Sequence, residues 1–497
     1  MQCPETNFES KLLRIIWILV VGWTLPVMGQ QLTMSALPTG RNGQSNYRVV
    51  GENAGGVYLM NYRDADMRRN FTLLKVNHQL QYLQEKPIEL GKKSRLIKIF
   101  THDSGVCLIY TEKIKQELWI RYRNIDLDME SEYTGNLGLI NNSESSQWVT
   151  AEYSNNREWC GIWSEEQSEE GLQRIGVMQF HLPTRRINRH THYIPFTAKS
   201  VSIDETSMAN NGAFACAILF EDDNQRSSKP ASRQYFIAHG DSAGTKPLLP
   251  VNAGAFFVGG SELVRDEFRQ RFLFSGFYDL ERDAQVTGYF TLPVYDSASS
   301  YQSGASLLKE PLPPALVVEL IGAGLQEKGR LPDNLFIRKI VPRDDGGQLL
   351  VAEEFYVTQQ LETFYINGVP QTSSKNVYHY DDAVLIAVSP QGAPEWFKVV
   401  RKRQSGYSGT SYYNGIATYV CDSTVQLMYN DNATQNNRVT HLQIDRKGAI
   451  LQHVLFNSDE VYTGFIPQEG KQTGYNRFIV PLIMEKQTML LKVTKKE

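Results

Sequence analysis

The sequence predicts an all-β fold, a single β-propeller of four-stranded antiparallel blades, and three observations point there. A pair of short apolar strands joined by a polar tip occurs eight times along the chain. The copies lie about 50 to 60 residues apart for the most part, which leaves room in each for four short strands. Aromatics make up 11% of the residues, with 25 Tyr and 22 Phe beside 37 Gly, a mix that suits pleated strands joined by tight turns.

At the amino end, Lys11 and Arg14 precede the apolar run Ile15 to Val21, which Trp23, Leu25 and Val27 extend. A basic start, a short apolar centre and the modest residues Val27-Met28-Gly29 predict a signal peptide over 1–29, cleaved near Gly29. Pro26 breaks the run, and no later stretch approaches about 18 uninterrupted apolar residues, so the mature chain 30–497 is expected to carry no membrane span.

The first strands of the pairs begin at Val57, Val106, Gly161, Phe214, Phe272, Leu349, Val425 and Phe478. Their partners begin at Phe71, Leu118, Ile175, Tyr235, Gly288, Ala383, Val439 and Met489. Turns such as Asp103-Ser104-Gly105 and Asn210-Asn211-Gly212 come before first strands. Phrases such as Ser389-Pro390-Gln391-Gly392 and Asp445-Arg446-Lys447-Gly448 follow partners and lead into a further strand. Two hairpins per copy make a blade, and a ring of blades is the radial way to leave few open sheet edges. Eight copies predict eight blades, with seven the alternative if one copy is misread. The chain ends on a partner strand, Met489 to Val493, so Gln31 to Ala36 are expected to supply the last blade's outer strand as a clasp. Residues 296–335 read as an insertion with one short helix, and residues 357–380 as a long loop rich in Thr, Gln, Asn and Tyr.

Cys107, Cys160, Cys216 and Cys421 follow the signal region. Their surroundings are apolar strand interiors, so buried reduced thiols are expected rather than disulfides, although export would permit the latter. No CxxC pair supports structural zinc. A formal net charge of −3 argues against a nucleic-acid partner, which needs a basic field.

The segments Asp344 to Glu354, Tyr380 to Leu385 and Glu395 to Gln404 resemble a family of secreted β-propeller-like proteins of Gram-negative bacterial envelopes, best over about 335–497. The phrase Gln391-Gly392-Ala393-Pro394-Glu395-Trp396 is similar to the blade signature of quinoprotein-like propellers. One blade here keeps that Trp, so no quinone or other cofactor is implied. The resemblance implies the fold and export, to the periplasm, the outer membrane or the exterior. It brings no catalytic residues.

Chemistry is therefore read from the residues alone. His190 and His192 share one face of a strand, but Arg185, Arg186 and Arg189 would repel a cation there, so a solvent-exposed strand is expected and no metal. Acidic tips between paired strands, such as Glu112, Glu165, Glu166, Asp279 and Asp431, should share one face of the ring and be solvated. No nucleophile elbow, HExxH or phosphate loop is present. The binding candidates flank the sixth blade: Tyr365, Tyr378 and Tyr380 in one long loop, with Arg401, Arg403, Tyr407, Tyr412 and Tyr413 in the next. Clustered Tyr with Arg gives rigid amphipathic contact area. The sequence thus suggests an exported binding or scaffold protein with an envelope protein, peptide or glycan as partner. The alternative is a hydrolase or lyase with an acidic site at the axis, and a buried carboxylate pair there would favour it.

Overall fold

The computed structural model describes residues 30–38, 46–63, 69–140, 148–167, 173–194, 200–222, 232–251, 256–280, 285–296, 307–367, 369–408, 410–431, 438–457, 463–484 and 487–495. The expected signal peptide lies outside these residues, as do the tips at Asp64, Glu169, Glu170 and Asp223.

Eight antiparallel sheets of four or five strands follow one another along the chain. The first blade runs outward from Asn46–Asn53 through Gly56–Tyr62 and Asn70–Val76 to Tyr82–Glu89. The innermost strands of the next six are Ser94–His102, Val149–Tyr153, Ser200–Met208, Phe256–Asp266, Leu335–Pro342 and Ala417–Cys421. In blade eight the innermost position is shared by Thr463–Phe465 and Lys471–Gly474. Innermost strands of successive blades pack on one another from blade one to blade six, and from seven through eight back to one. They therefore line the axis. Every strand pair read from the sequence is the second and third strand of a blade. These are the strands buried on both faces, so they read as continuous apolar runs.

Burial explains why the blades form a ring. The buried apolar residues fall into eight clusters, one for each junction between neighbouring blades. Each sheet hides both faces against its neighbours, and that burial is the main favourable contribution to folding. The four cysteines after the signal region sit in these clusters or beside them, all buried and without disulfides.

The ring closes as the repeat requires. Gln30–Ala36 pairs antiparallel with Gln487–Lys495, from Gln30 opposite Lys495 to Ala36 opposite Met489, and is the outermost strand of blade eight. Glu52 of blade one reinforces the seam. Its carboxylate accepts hydrogen bonds from Thr473 and Arg477 of blade eight, each at 2.8 Å, and meets His78 at 2.8 Å.

Two readings of irregular chain need correction. Within 296–335, Leu308–Pro311 is the ordinary outermost strand of blade five. The inserted part is two short helices rather than one, Pro314–Ile321 and Ala323–Gln326. Pro314 pre-sets the first turn, and Gly322 at φ 84° ends the first helix. Leu316 and Val317 of that helix fill the junction of blades five and six. Residues 357–380 are not a loop. Gln348–Ile366 and Val369–Val388 pair along almost their whole length as one hairpin whose outer half forms an arm.

Candidate functional site

The arm owes its form to local sequence. Thr, Val and Tyr recur on both strands and suit a pleated backbone, and the pairing runs out to Ile366 opposite Val369, with Asn367 at φ 51°. The innermost strand leaves the hairpin at Glu354, so the arm extends about 35–40 Å further from Phe355 to Ile366 at the usual strand rise. At its base a short strand, Gln404–Tyr407, pairs with residues 377–380. Beyond that base both backbone edges are open among the described pairings.

Register sorts the arm's side chains onto two faces. One carries Phe355, Val357, Gln359, Leu361, Thr363 and Tyr365 beside Pro370, Thr372, Ser374, Asn376, Tyr378 and Tyr380. It contains no Asp, Glu, Lys, Arg or His. Leu361 and Tyr365 are 70% and 71% exposed on it. The opposite face mixes Phe364 and Val377 with the arm's charges: Glu362 pairs with Lys375, Thr358 meets His379 at 2.8 Å, and Lys375 lies over the Tyr407 ring.

The eight residues singled out from the sequence separate accordingly. Tyr365 and Tyr378 share the uncharged face. Tyr380 is buried at the base of that face. It is 8% exposed and packs on Phe355 at 4.9 Å with Arg338 alongside. Tyr407 stands on the opposite face and donates to Gln360 at 2.9 Å. Arg401 and Arg403 are both exposed, Arg401 with its guanidinium on Asp382 and on the Glu319 carbonyl. Tyr412 and Tyr413 stack 4.1 Å apart in a short turn against blade eight, with the Tyr413 ring beside Gly464. The structure thus brings Tyr365, Tyr378 and Tyr407 onto one arm and places the others around its base, with Tyr380 buried, Tyr412 and Tyr413 half-buried and Arg401 and Arg403 exposed.

That base is held by a buried ion pair. Lys402 lies 2.7 Å from Glu353, which also takes Arg338 at 2.8 Å, and Lys402 donates to Gln404 at 2.9 Å. Gln404 in turn donates to the Asn430 carbonyl of blade seven. Glu354 next to it has its carboxyl raised to about 7 by burial and by the nearby Asp381, Asp382 and Asp333.

No protein-family model matches the sequence, and no curated relative does. Solved structures are similar in outline. They include the WD40 domain of SCAP from fission yeast (8% identity over 94% of this chain and 98% of that one, TM-score 0.39). The Nup133 β-propeller domain of Vanderwaltozyma polyspora is similar over 82% of this chain and 98% of its own, at 11% identity and a TM-score of 0.38. A Synechocystis apocarotenoid oxygenase mutant matches 74% of this chain and 76% of its own, at 8% identity and a TM-score of 0.34.

The axis holds a second set of chemical groups. The innermost strands of blades one, two, four, five, six and eight each carry a register shift. In four of them the residue that resumes the pairing is charged: Lys98, Glu205, Glu262 and Lys339. A bulge bends the strand and redirects the next side chain. Lys98 meets Glu152 of blade three at 2.6 Å, and Lys339 donates to the Thr418 carbonyl of blade seven. Burial, with Asp204, Glu262 and Glu152 adding, raises Glu205 to about 8. Burial also raises Glu262, opposed by Lys339 and a hydrogen bond from the Ile340 amide. This axial set was missed because the repeat was recognised by its second and third strands. Its signal is a single charge inside a short apolar first strand, as in Leu96-Ile97-Lys98-Ile99.

His190 and His192 lie on the outermost strand of blade three, Arg186–Tyr193, where Arg186, Arg189 and Tyr193 are exposed but His190 is half-buried and His192 buried. His190 meets Gln179 at 2.8 Å, and His192 is buried against Phe214 of blade four, with burial lowering its pKa to about 4. Among the described residues no group of three His, Cys, Asp or Glu is placed to hold a metal ion.

Proposed function

We propose that the protein is an exported binding or scaffold protein of the bacterial envelope, whose blade-six arm takes up an extended, uncharged strand of a partner protein. A propeller suits such a role in general, because it is a rigid frame carrying variable loops. Export rests on the basic and apolar pattern of residues 11–27 and on the resemblance of residues 335–497. The observation that carries the binding reading is the arm's uncharged face beside open backbone edges. Free N–H and C=O groups pair with an incoming strand, and an adjacent face without charges accepts apolar side chains at no ionic desolvation cost.

A photo-crosslinker at position 361 tests this in intact cells. It should capture one protein partner, and Thr363→Asp with Tyr365→Asp, on the same face, should abolish the capture by placing charge there. Crosslinks that survive the two aspartates overturn the reading. A crosslink to the same chain identifies the partner as a second copy.

Glu205 and Glu262 favour a second reading, an enzyme acting on a glycan or peptide at the axis, since an acid kept protonated by burial is suited to proton donation. Neither residue lines the described cavities around His102 and around Lys471. Turnover of glycan or peptide substrates that Glu205→Gln removes would establish it; turnover unchanged in that variant would dismiss it.

A further inference from the structure

A cavity of about 360 Å³ lies between blades two and three on the edge of the ring opposite the arm. Turns on that edge build it, with Asp103 and Ser104 on one side and Arg157, Glu158 and Arg185 on the other. Tyr133, Tyr122 and Phe180 line it as a row of rings with centroids 5.8 and 4.7 Å apart, and Arg185 lies 4.5 Å over Tyr133. His102, also in the wall, is buried and engaged at both ring nitrogens, by Asn124 Oδ1 at 2.5 Å and by the Ser104 hydroxyl at 3.2 Å. One neutral tautomer satisfies both: Nε2–H donates to the Asn124 oxygen, and Nδ1 accepts from Ser104. Burial agrees with this, since it holds the His102 pKa below its ordinary value against the opposing pull of Asn124 and Asp103.

With His102 neutral, the ionised groups of the wall are Arg157 and Arg185 against Asp103 and Glu158, two of each sign. The cavity therefore favours a ligand without net charge. Its open hydrogen-bonding positions include both donors and acceptors. The Asn124 amide N–H groups, the Arg185 guanidinium and the Asp103 carboxylate take no hydrogen-bond or ion-pair partner among the described residues, and Glu158 engages Asn156 through one oxygen at 2.8 Å. We propose that this cavity binds a neutral saccharide, its ring carbons against the tyrosines and its hydroxyls shared among Asn124, Arg185 and Asp103. A hydroxyl both donates and accepts, so one kind of ligand group serves the amide and guanidinium donors and the carboxylate acceptors alike. The C–H face of a sugar ring is apolar and is drawn out of water onto aromatic surface. The volume lies within the usual range for small-molecule pockets. A zwitterion of no net charge fits less well. Arg157 is turned to the Glu52 and Thr473 carbonyls and to Thr101, at 2.6, 3.3 and 2.9 Å, which leaves a carboxylate with Arg185 alone. Arg185 stands at φ 58°, a left-handed conformation that glycine would hold without strain, so its side chain is retained at a backbone cost. The site lies on the far edge from the arm and does not depend on the reading of the arm.

Saturation-transfer NMR of the purified protein tests this with glucose, galactose, N-acetylglucosamine, cellobiose, lactose and N,N′-diacetylchitobiose, each at millimolar concentration. At least one should receive saturation, strongest at its ring C–H protons. Tyr133 is 48% exposed, so Tyr133→Ala should fold, and it should weaken that sugar about tenfold. Tyr133→Phe, which keeps the ring, should bind nearly as the native protein does. Arg185→Gln should weaken binding several-fold. Phe268→Ala should leave it unchanged, although Phe268 is an exposed aromatic in a turn on the same edge of the ring. A disaccharide that binds more tightly than its monosaccharide assigns the site to a glycan chain; equal binding assigns it to the free sugar. Saturation of none of the sugars overturns the proposal. So does binding that Tyr133→Ala and Arg185→Gln both leave intact, an equal loss in Phe268→Ala, or L-phenylalanine bound more tightly than every sugar.

Discussion

At the scale of single residues, environment decides what each ionisable group contributes. Glu205, raised to about 8, binds a proton in the folded ring that the unfolded chain loses near its ordinary value of about 4.3. Its contribution is therefore full below that ordinary value and is lost as pH rises through 8. Glu205→Gln should leave stability near pH 4 almost unchanged and raise it by about 1–3 kcal/mol at pH 9, measured by denaturant unfolding. Parallel pH profiles for the two proteins would show that Glu205 is not the titrating group. Tyrosines divide in the same way. Tyr380→Ala should cost about 3 kcal/mol, in the manner of a truncated core aromatic, whereas Tyr365→Ala should stay within about 0.5 kcal/mol. Losses of equal size would contradict the division described for the arm and its base. The sequence revealed that tyrosines gather around blade six, yet not which of them face solvent. Tyr365 and Tyr380 sit in similar local phrases, and their difference is set by Phe355 and Arg338 across the strands.

At the scale of elements, one turn recurs on the edge of the ring opposite the arm. In Ala209–Ala213, Arg343–Gly347, Ser389–Ala393 and Asp445–Ala449 the first amide bonds to the last carbonyl and the fourth amide to the first carbonyl. The fourth position is left-handed and is Gly212, Gly346, Gly392 or Gly448; Leu80 and Arg157 hold the corresponding conformation elsewhere. Gly448 is also close to blade six, since a Cβ there would come within 2.8 Å of the Trp396 ring. Gly448→Ala should destabilise by about 1–2 kcal/mol, or more if Trp396 cannot shift; an unchanged unfolding midpoint would mean that the turn relaxes freely. These turns were legible because Gly beside Asp, Asn or Ser is a local signal. The arm was legible in principle too. Its sequence pair Asn367-Gly368 is a hairpin signal, but the Thr, Gln, Ser and Asn on either side suggest a loop. The first strand of each blade was the least legible, being partly polar and, in six blades, interrupted by a register shift.

At the scale of the molecule, closure depends on the seam between blades eight and one. Removing residues 30–36 should uncover the edge of Gln487–Lys495 and give a protein that unfolds earlier and aggregates, measured by light scattering on heating. Unaltered, cooperative unfolding would show that the clasp is dispensable. Glu52 adds a pH limit to the same seam. Burial pushes its pKa up, but hydrogen bonds from Thr473 and His78 and the charges of Lys492 and Arg477 prevail and hold it below the ordinary value. Its contribution is thus present above pH of about 4.5 and is lost as pH falls through the folded value. Glu52→Gln should cost about 3 kcal/mol at pH 7 and blunt the loss of stability in acid; an acid transition as steep as before would place the sensitivity elsewhere. The seam has a mechanical consequence as well. Gln30 lies opposite Lys495, so the chain enters and leaves the clasp side by side. Tension applied through these two points loads the hydrogen bonds singly, from Gln30 inward, and peels the strand away where a shearing pull would have to break the bonds together. Held at both ends, the protein should yield first at the clasp and under light force, becoming an open bracelet of otherwise folded blades.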